Sequence, residues 1–185
     1  MTETPNDAQH EEAPKEVPVE APVFDPEEVL AVARPSAGRR LLGIGSLGFL
    51  GFLVIYLAIV EQPGLGWRLF LLALGVFVLL MTDKMRRATA SYIELTPLVV
   101  RDHDGTIIAR IEEIDGLDRG FFAFKPSNGF LMHTENKAPN EWRPGMWWRI
   151  GRRIGVGGMT PAHHTKQMSE ILAIMIAQRE MAKNQ

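Results

Sequence analysis

Five histidines, no cysteine and twenty-two carboxylates are the groups from which this 185-residue chain could build a reactive centre. The missing cysteine removes disulfides, thiolate metal sites, iron–sulfur clusters and thiol nucleophiles together, and it leaves the redox compartment open. His103 stands between Asp102 and Asp104, a pattern that suits acid–base chemistry or a metal and equally suits a solvated turn; Gly105 favours the turn. His163 and His164 are neighbours, and consecutive helical positions diverge by about 100°, so they are not the i, i+4 pair with which a helix grips zinc. His133 falls in a short apolar run, where packing or a hydrogen bond is the expected role. Gly151 to Gly158 is glycine-rich and basic like a phosphate loop, yet no Gly-Lys-Ser or Gly-Lys-Thr follows and no βαβ unit surrounds it. Its glycines fit strand turns and bulges. The acid pairs Glu112-Glu113 and Asp115 with Asp118 have no convergent nucleophile or base. The expectation is a protein that is not an enzyme, with no cofactor and no metal.

The segment Trp142 to Arg153 is the densest in recognition chemistry, with three of the four tryptophans and Arg143, Arg149, Arg152 and Arg153. In an extended strand Trp147 and Arg149 share one face while Trp148 and Ile150 share the other, so one indole should lie in the core and one outside. Trp and Arg are favoured both at protein contacts and at an anionic headgroup layer, where each base contributes on the order of 1 kcal/mol. The expected interaction surface is Trp147, Arg149, Arg152 and Arg153, with Phe121 and Lys125 as neighbours, facing anionic lipid or a protein partner. A core Trp beside ordinary solvated arginines remains the alternative.

The elements that would carry this segment follow from composition. Residues 1–38 hold six of the twelve prolines, and Met1 to Ala33 carries nine acids against one base. Without a periodic apolar face it reads as a disordered acidic tail, and its acidic start is wrong for a targeting peptide. From Leu41 to Val60 runs an uncharged stretch that matches a bilayer's hydrocarbon thickness of about 30 Å at about 1.5 Å per residue. A second apolar run, Leu69 to Thr82, reaches that length when extended back through Gly66, Trp67 and Arg68 and forward toward Met85. Glu61-Gln62-Pro63-Gly64 is turn chemistry, so residues 39–87 read as a transmembrane helical hairpin. Arg39 and Arg40 precede its first apolar helix and Lys84, Arg86 and Arg87 follow its second, against Arg68 alone in the connection, which puts both termini in the cytoplasm. Gly45, Gly48 and Gly51 make one side of the first helix small, for packing on the second helix or on another protein.

Residues 88–185 change to short runs of period two. Strands are expected over Ser91 to Leu95, Leu98 to Arg101, Thr106 to Ile111, Phe121 to Lys125, Phe130 to Thr134, Met146 to Ile150 and Arg153 to Val156. In the third, Ile107, Ala109 and Ile111 should share one face and Ile108 and Arg110 the other. Turns fall at Asp102 to Gly105 and at Pro126-Ser127-Asn128-Gly129, the latter with a Gly for a positive φ. Thr160 as N-cap and Pro161 at the first helical position announce a helix to about Met181. Its apolar face, Met168, Ile171, Leu172, Met175 and Ile176, should dock on the sheet.

A membrane hairpin, a β domain opening Tyr92-Ile93-Glu94-Leu95-Thr96, and one terminal helix together resemble the bacterial pleckstrin-homology-like membrane proteins. The matching positions are Tyr92, Leu95 and Thr96 of a Y-x-L-T type strand, then Gly105 and the Ile111 to Ile114 segment. The resemblance covers about Leu41 to Ile114 plus the helix, while Gly120 to Gly158 follows its own pattern. It implies an α+β membrane protein whose small antiparallel PH-like domain is a seven-stranded sandwich capped by the helix, with an interaction role and no catalytic residues. The expected function is a membrane-anchored interaction or scaffolding module of the inner membrane, partnered by the bilayer, a membrane or cytoplasmic protein and anionic lipid. The alternatives are an accessory subunit of a larger inner-membrane complex, touching it through the glycine side, and an enzyme acting on lipid. Nucleic acid is not expected, because the domain's basic excess is modest and no binding motif is present.

Overall fold

Two runs free of internal proline and poor in charge become two 24-residue helices, α1 (Ala37–Val60) and α2 (Leu65–Ala88). Each is about 36 Å long at 1.5 Å per residue, and both are long and apolar enough to cross a membrane. The structure is a computed structural model that describes residues 25–61, 63–120 and 125–183. Most of the acidic tail, residues 1–24, lies outside the described residues, as do Phe121 and all but the last residue of the strand expected over Phe121 to Lys125.

The helices pack antiparallel through their smallest residues. Gly51 and Gly75 are buried where they cross, and a Cβ at 75 would sit 3.1 Å from the Gly51 carbonyl oxygen. A Cβ at Gly48 would meet the Thr82 methyl at 3.5 Å, whereas Gly45 faces open space. The glycine side of α1 is therefore spent within the hairpin at Gly48 and Gly51. Side chains such as Phe49, Phe52, Tyr56 and Phe77 point outward instead, and only 11% of the most apolar window of α1 and 6% of that of α2 are buried. That is the inverse of a core helix in a water-soluble protein.

The β domain begins before the hairpin, not after it. Ala31–Ala33 form a strand, β1, that pairs antiparallel with β2 (Ile93–Leu95), with Ala31 opposite Leu95 and Ala33 opposite Ile93. The last residues of the expected tail are thus ordered sheet, because Ala31 and Ala33 point into the core and the backbone of Leu30 and its neighbours bonds to an otherwise open edge. Both ends of the hairpin return to adjacent strands. Sheet A continues through β3 (Val99–Asp102) and β4 (Ile107–Arg110) in the order β1-β2-β3-β4. After a 3-10 turn at Ile111–Glu113, sheet B comprises β5 (Ile114–Asp118), β6 (Phe130–Thr134), β7 (Glu141–Arg143), β8 (Trp147–Ile150) and β9 (Arg153–Val156). Its order is β5-β6-β9-β8-β7, antiparallel throughout. The described residues therefore hold nine strands in an α+β layout, against the seven that the resemblance implies.

Local chemistry explains where the strand pattern departs from expectation. A bulge between Val100 and Arg101 sets Arg101 opposite Ile107 and Val100 opposite Ala109. Ile108 is the extra residue, so Ile108 and Ala109 are both buried and Ile107 is exposed, in place of strict alternation. In the Pro126–Gly129 turn the positive φ, 53°, belongs to Asn128. Gly129 serves a different need: its Cα runs so close to the Val156 carbonyl that no Cβ fits.

The last helix, α3 (Ala162–Lys183), lays Met168, Leu172 and Ile176 into the core, with Ile171 and Met175 packed at its margin. Thr160 does not cap it: its hydroxyl is buried without a partner, and the first helical carbonyl is that of Pro161, which accepts from the His164 and Thr165 N–H groups. Among the described residues one core cluster joins both sheets with this helix, including Ile93, Leu95, Phe130, Trp147 and Ile154.

Candidate functional site

The strand pairing decides what each residue of the Trp142 to Arg153 segment can do. Trp142 lies directly opposite Trp148, and Arg143 opposite Trp147. Directly opposed residues share a face, so Trp142, Trp148 and Ile150 look away from the core while Trp147 and Arg149 look inward.

Trp147 is 1% exposed, which corrects its expected place on the interaction surface. Its Nε1 donates to the Asp102 Oδ2 at 3.0 Å, and the Ser91 hydroxyl donates to Oδ1 of the same carboxylate. Asp102 is accordingly a buried acid at the end of β3 rather than part of a solvated turn, and it ties the exit of α2 to both sheets. An indole N–H cannot be buried without an acceptor except at a cost of about 1–3 kcal/mol, which is why the carboxylate is there.

Arg149 is likewise withdrawn from the surface. Its guanidinium lies 5.9 Å from the Trp147 ring centroid and donates to the carbonyls of Ile107 and Ile108, clamping β4 of sheet A to β8 of sheet B. Arg143 pairs with Asp104 at 2.9 Å and Glu141 at 3.1 Å. Asp104 is held below the ordinary carboxylate range, first by hydrogen bonding from Thr106 and then by Arg143. Lys125 donates to the Arg119 carbonyl. Of the expected surface residues that are described, only Arg152 and Arg153 stand exposed, at the β8–β9 turn, and the described ones do not form one patch.

A different constellation forms where β7 meets the end of α2. Lys84 Nζ lies 5.0 Å above the ring of Trp142, which is 52% exposed. Two hollows of about 540 and 460 Å³ adjoin here, sharing Lys84, Asn140, Glu141 and Trp142 in their walls; Trp148 and Ile150 extend one, Arg87 and Pro144 the other. Trp148 lies flat over Gly155 of β9, where a Cβ would come within 2.6 Å of the indole Nε1. Arg86 and Arg87 both pair with Asp83, so this last turn of α2 carries three bases against one acid. Sequence spacing hides the site because Lys84 and Trp142 come from distant segments. The signal in the sequence is Trp142 itself, an indole that the β7–β8 pairing sets opposite the outward Trp148.

The remaining candidates lie apart from this constellation. A cleft of about 520 Å³ between α3 and sheet A is lined by Leu30, Leu98, Met175 and Arg179, among others. Arg179 donates to the carbonyls of Ile111, Glu112 and Ile114, so its charge fastens the 3-10 turn. His103 is exposed and stacks on Tyr92 at 4.2 Å. The rings of His163 and His164 meet edge to face at 4.3 Å despite their divergent Cα–Cβ directions, because side-chain rotation brings them together. Among the described residues no three His, Asp or Glu side chains converge as metal ligands. Compared with protein-family models, curated proteins and solved structures, the chain finds no match.

Proposed function

We propose that the chain is a membrane-anchored, non-catalytic interaction module. The hairpin spans the inner membrane, and a β domain of pleckstrin-homology-like kind rests against the cytoplasmic leaflet. The observation that carries this reading is the connection of the parts. Two helices with outward-facing apolar side chains are inserted between paired strands of one sheet, so both ends of the hairpin leave on the same side of whatever the helices occupy. Arg34 precedes α1, Arg39 and Arg40 lie in its first turn, and Lys84, Arg86 and Arg87 close α2, whereas the far end of the hairpin holds Glu61 and, in the first turn of α2, Arg68. This asymmetry favours a cytoplasmic location for the domain. The working surface in this reading is the exposed outer face of β7 and β8, with Trp142 and Ile150, in place of the inward Trp147 and Arg149. Of the glycines in the accessory-subunit reading, Gly48 and Gly51 face α2 and Gly45 alone is open to another protein.

Alkaline carbonate extraction of membranes tests the anchoring. The full chain stays in the pellet, and a form in which residues 38–87 are replaced by a flexible linker is released to the supernatant. Release of the full chain by carbonate would overturn the reading.

A further inference from the structure

The apolar part of α2 ends at Thr82, and the walls of the adjoining hollows begin two residues later at Lys84. At about 1.5 Å per residue, Lys84 and Arg87 lie about 3 and 7.5 Å beyond Thr82. The headgroup layer on each side of a bilayer is about 5–7.5 Å thick. If the hairpin spans as proposed above, on which this inference rests, both cations sit at the depth of the lipid phosphates. Trp142 stands at the same depth with half of its surface open, in the position where an indole suits the interface.

We propose that this cleft binds the phosphate of an anionic phospholipid in the adjoining leaflet, held by Lys84 and Arg87 with the glycerol region laid along Trp142. Charge complementarity selects the occupant. Lys84 has no ion-pair partner within 4 Å among the described residues; its ammonium rests over an indole face, which a cation favours without being neutralised. Arg87 shares Asp83 with Arg86, so that pair retains a positive excess. Glu141, the acid in the wall, is engaged by Arg143. A zwitterionic headgroup would bring a second cation into this surplus of positive charge, whereas a phosphatidylglycerol-type headgroup brings none. Continuity decides against a soluble phosphate compound: the cleft starts where the apolar helix surface stops, so a lipid whose chains lie along α2 delivers its phosphate there without losing translational freedom in solution.

The test uses the full chain in nanodiscs of phosphatidylcholine, with spin-labelled phosphatidylglycerol or spin-labelled phosphatidylcholine as the probe, and reads the motionally restricted fraction. The parent restricts phosphatidylglycerol several-fold more than phosphatidylcholine, and added salt weakens the preference. Each cation at an anionic surface is worth about a five-fold preference. Lys84→Gln therefore removes most of it, Arg87→Gln less because Asp83 already half-neutralises that charge, and Lys166→Gln on α3, an equal change in net charge, leaves it intact. Near-UV circular dichroism checks that each variant keeps the parent fold. Equal loss in Lys84→Gln and Lys166→Gln overturns the site, and displacement of the labelled lipid by millimolar inorganic phosphate overturns the lipid as its source. A chain that incorporates into nanodiscs yet shows no preference refutes this inference alone, and one that fails to incorporate refutes the membrane reading with it.

Discussion

Asp102→Ala removes the acceptor that lets the largest core side chain be buried. The carboxylate is 1% exposed and receives the Trp147 indole N–H at 3.0 Å and the Ser91 hydroxyl. Ser91 is half-buried and can turn to water, so its loss is small. The Trp147 N–H has no such recourse, and a buried donor stripped of a charged acceptor costs about 1.5–3 kcal/mol. Adding the small cavity brings the total to about 3 kcal/mol. A domain of about 100 residues shifts by about 4 °C per kcal/mol at the low end, so thermal unfolding of the full chain in detergent should fall by about 12 °C. Asp102→Asn keeps an amide oxygen for the indole and an amide N–H₂ to donate to Ser91, and it also relieves the burial of a charge; it should cost about 1 kcal/mol or less. The decisive control is a double-mutant cycle with Trp147→Phe: without the indole N–H, Asp102→Ala should lose at least about 1 kcal/mol of its effect. Near-UV circular dichroism follows the transition through the tryptophans. A shift under about 4 °C for Asp102→Ala, or strict additivity with Trp147→Phe, would refute the reasoning.

Other perturbations probe the same architecture. Asp104 has its folded pKa depressed by Thr106 and Arg143, so its stabilising contribution is present above its unfolded pKa near pH 4 and fades as pH falls through the lower folded value; Asp104→Asn should flatten the acid side of a melting-temperature profile below about pH 4 and leave the neutral side's shape unchanged. Gly155→Val places a side chain where the Trp148 indole lies, so the indole should be pushed toward solvent and the tryptophan emission should shift to the red, with an unshifted spectrum counting against the stacking. A fragment starting at Ala88 lacks β1, which leaves the edge of β2 open and Ile93 and Leu95 less covered; it should aggregate, while a chain of residues 25–37 joined to 88–185 by a flexible linker should be monomeric in size-exclusion chromatography.

The hairpin is legible in the sequence because length and unbroken apolarity are signals that need no tertiary context. The strands with β-branched or aromatic runs, such as β3, β6, β8 and β9, are legible for a similar reason. The missed ones carry little local signal. β1 is three residues, Ala-Val-Ala, at the end of an acidic proline-rich stretch; β5 reads Ile-Asp-Gly-Leu-Asp; β7 reads Glu-Trp-Arg. Each is held in place by a partner strand rather than by its own propensity, and β1 by one that lies beyond the whole hairpin in the chain. The candidate site follows the same logic. Period two correctly separates Trp147 with Arg149 from Trp148 with Ile150, but which face is the core depends on Asp102, whose place beneath Trp147 no spacing reveals. Lys84 reads as a marker of topology, and it becomes a wall of the cleft because β7 folds back against the end of α2.

Two single cysteines in this cysteine-free chain give the most direct test of the account. Glu61→Cys lies in the connection between the helices, and Glu135→Cys is an exposed position beyond β6. In intact cells, or spheroplasts where an outer membrane is present, a membrane-impermeant maleimide should label position 61 and spare position 135, and permeabilisation should expose both. Labelling of position 135 before permeabilisation, or equal protection of the two, would contradict a hairpin that crosses the bilayer and returns to a domain on the inner face.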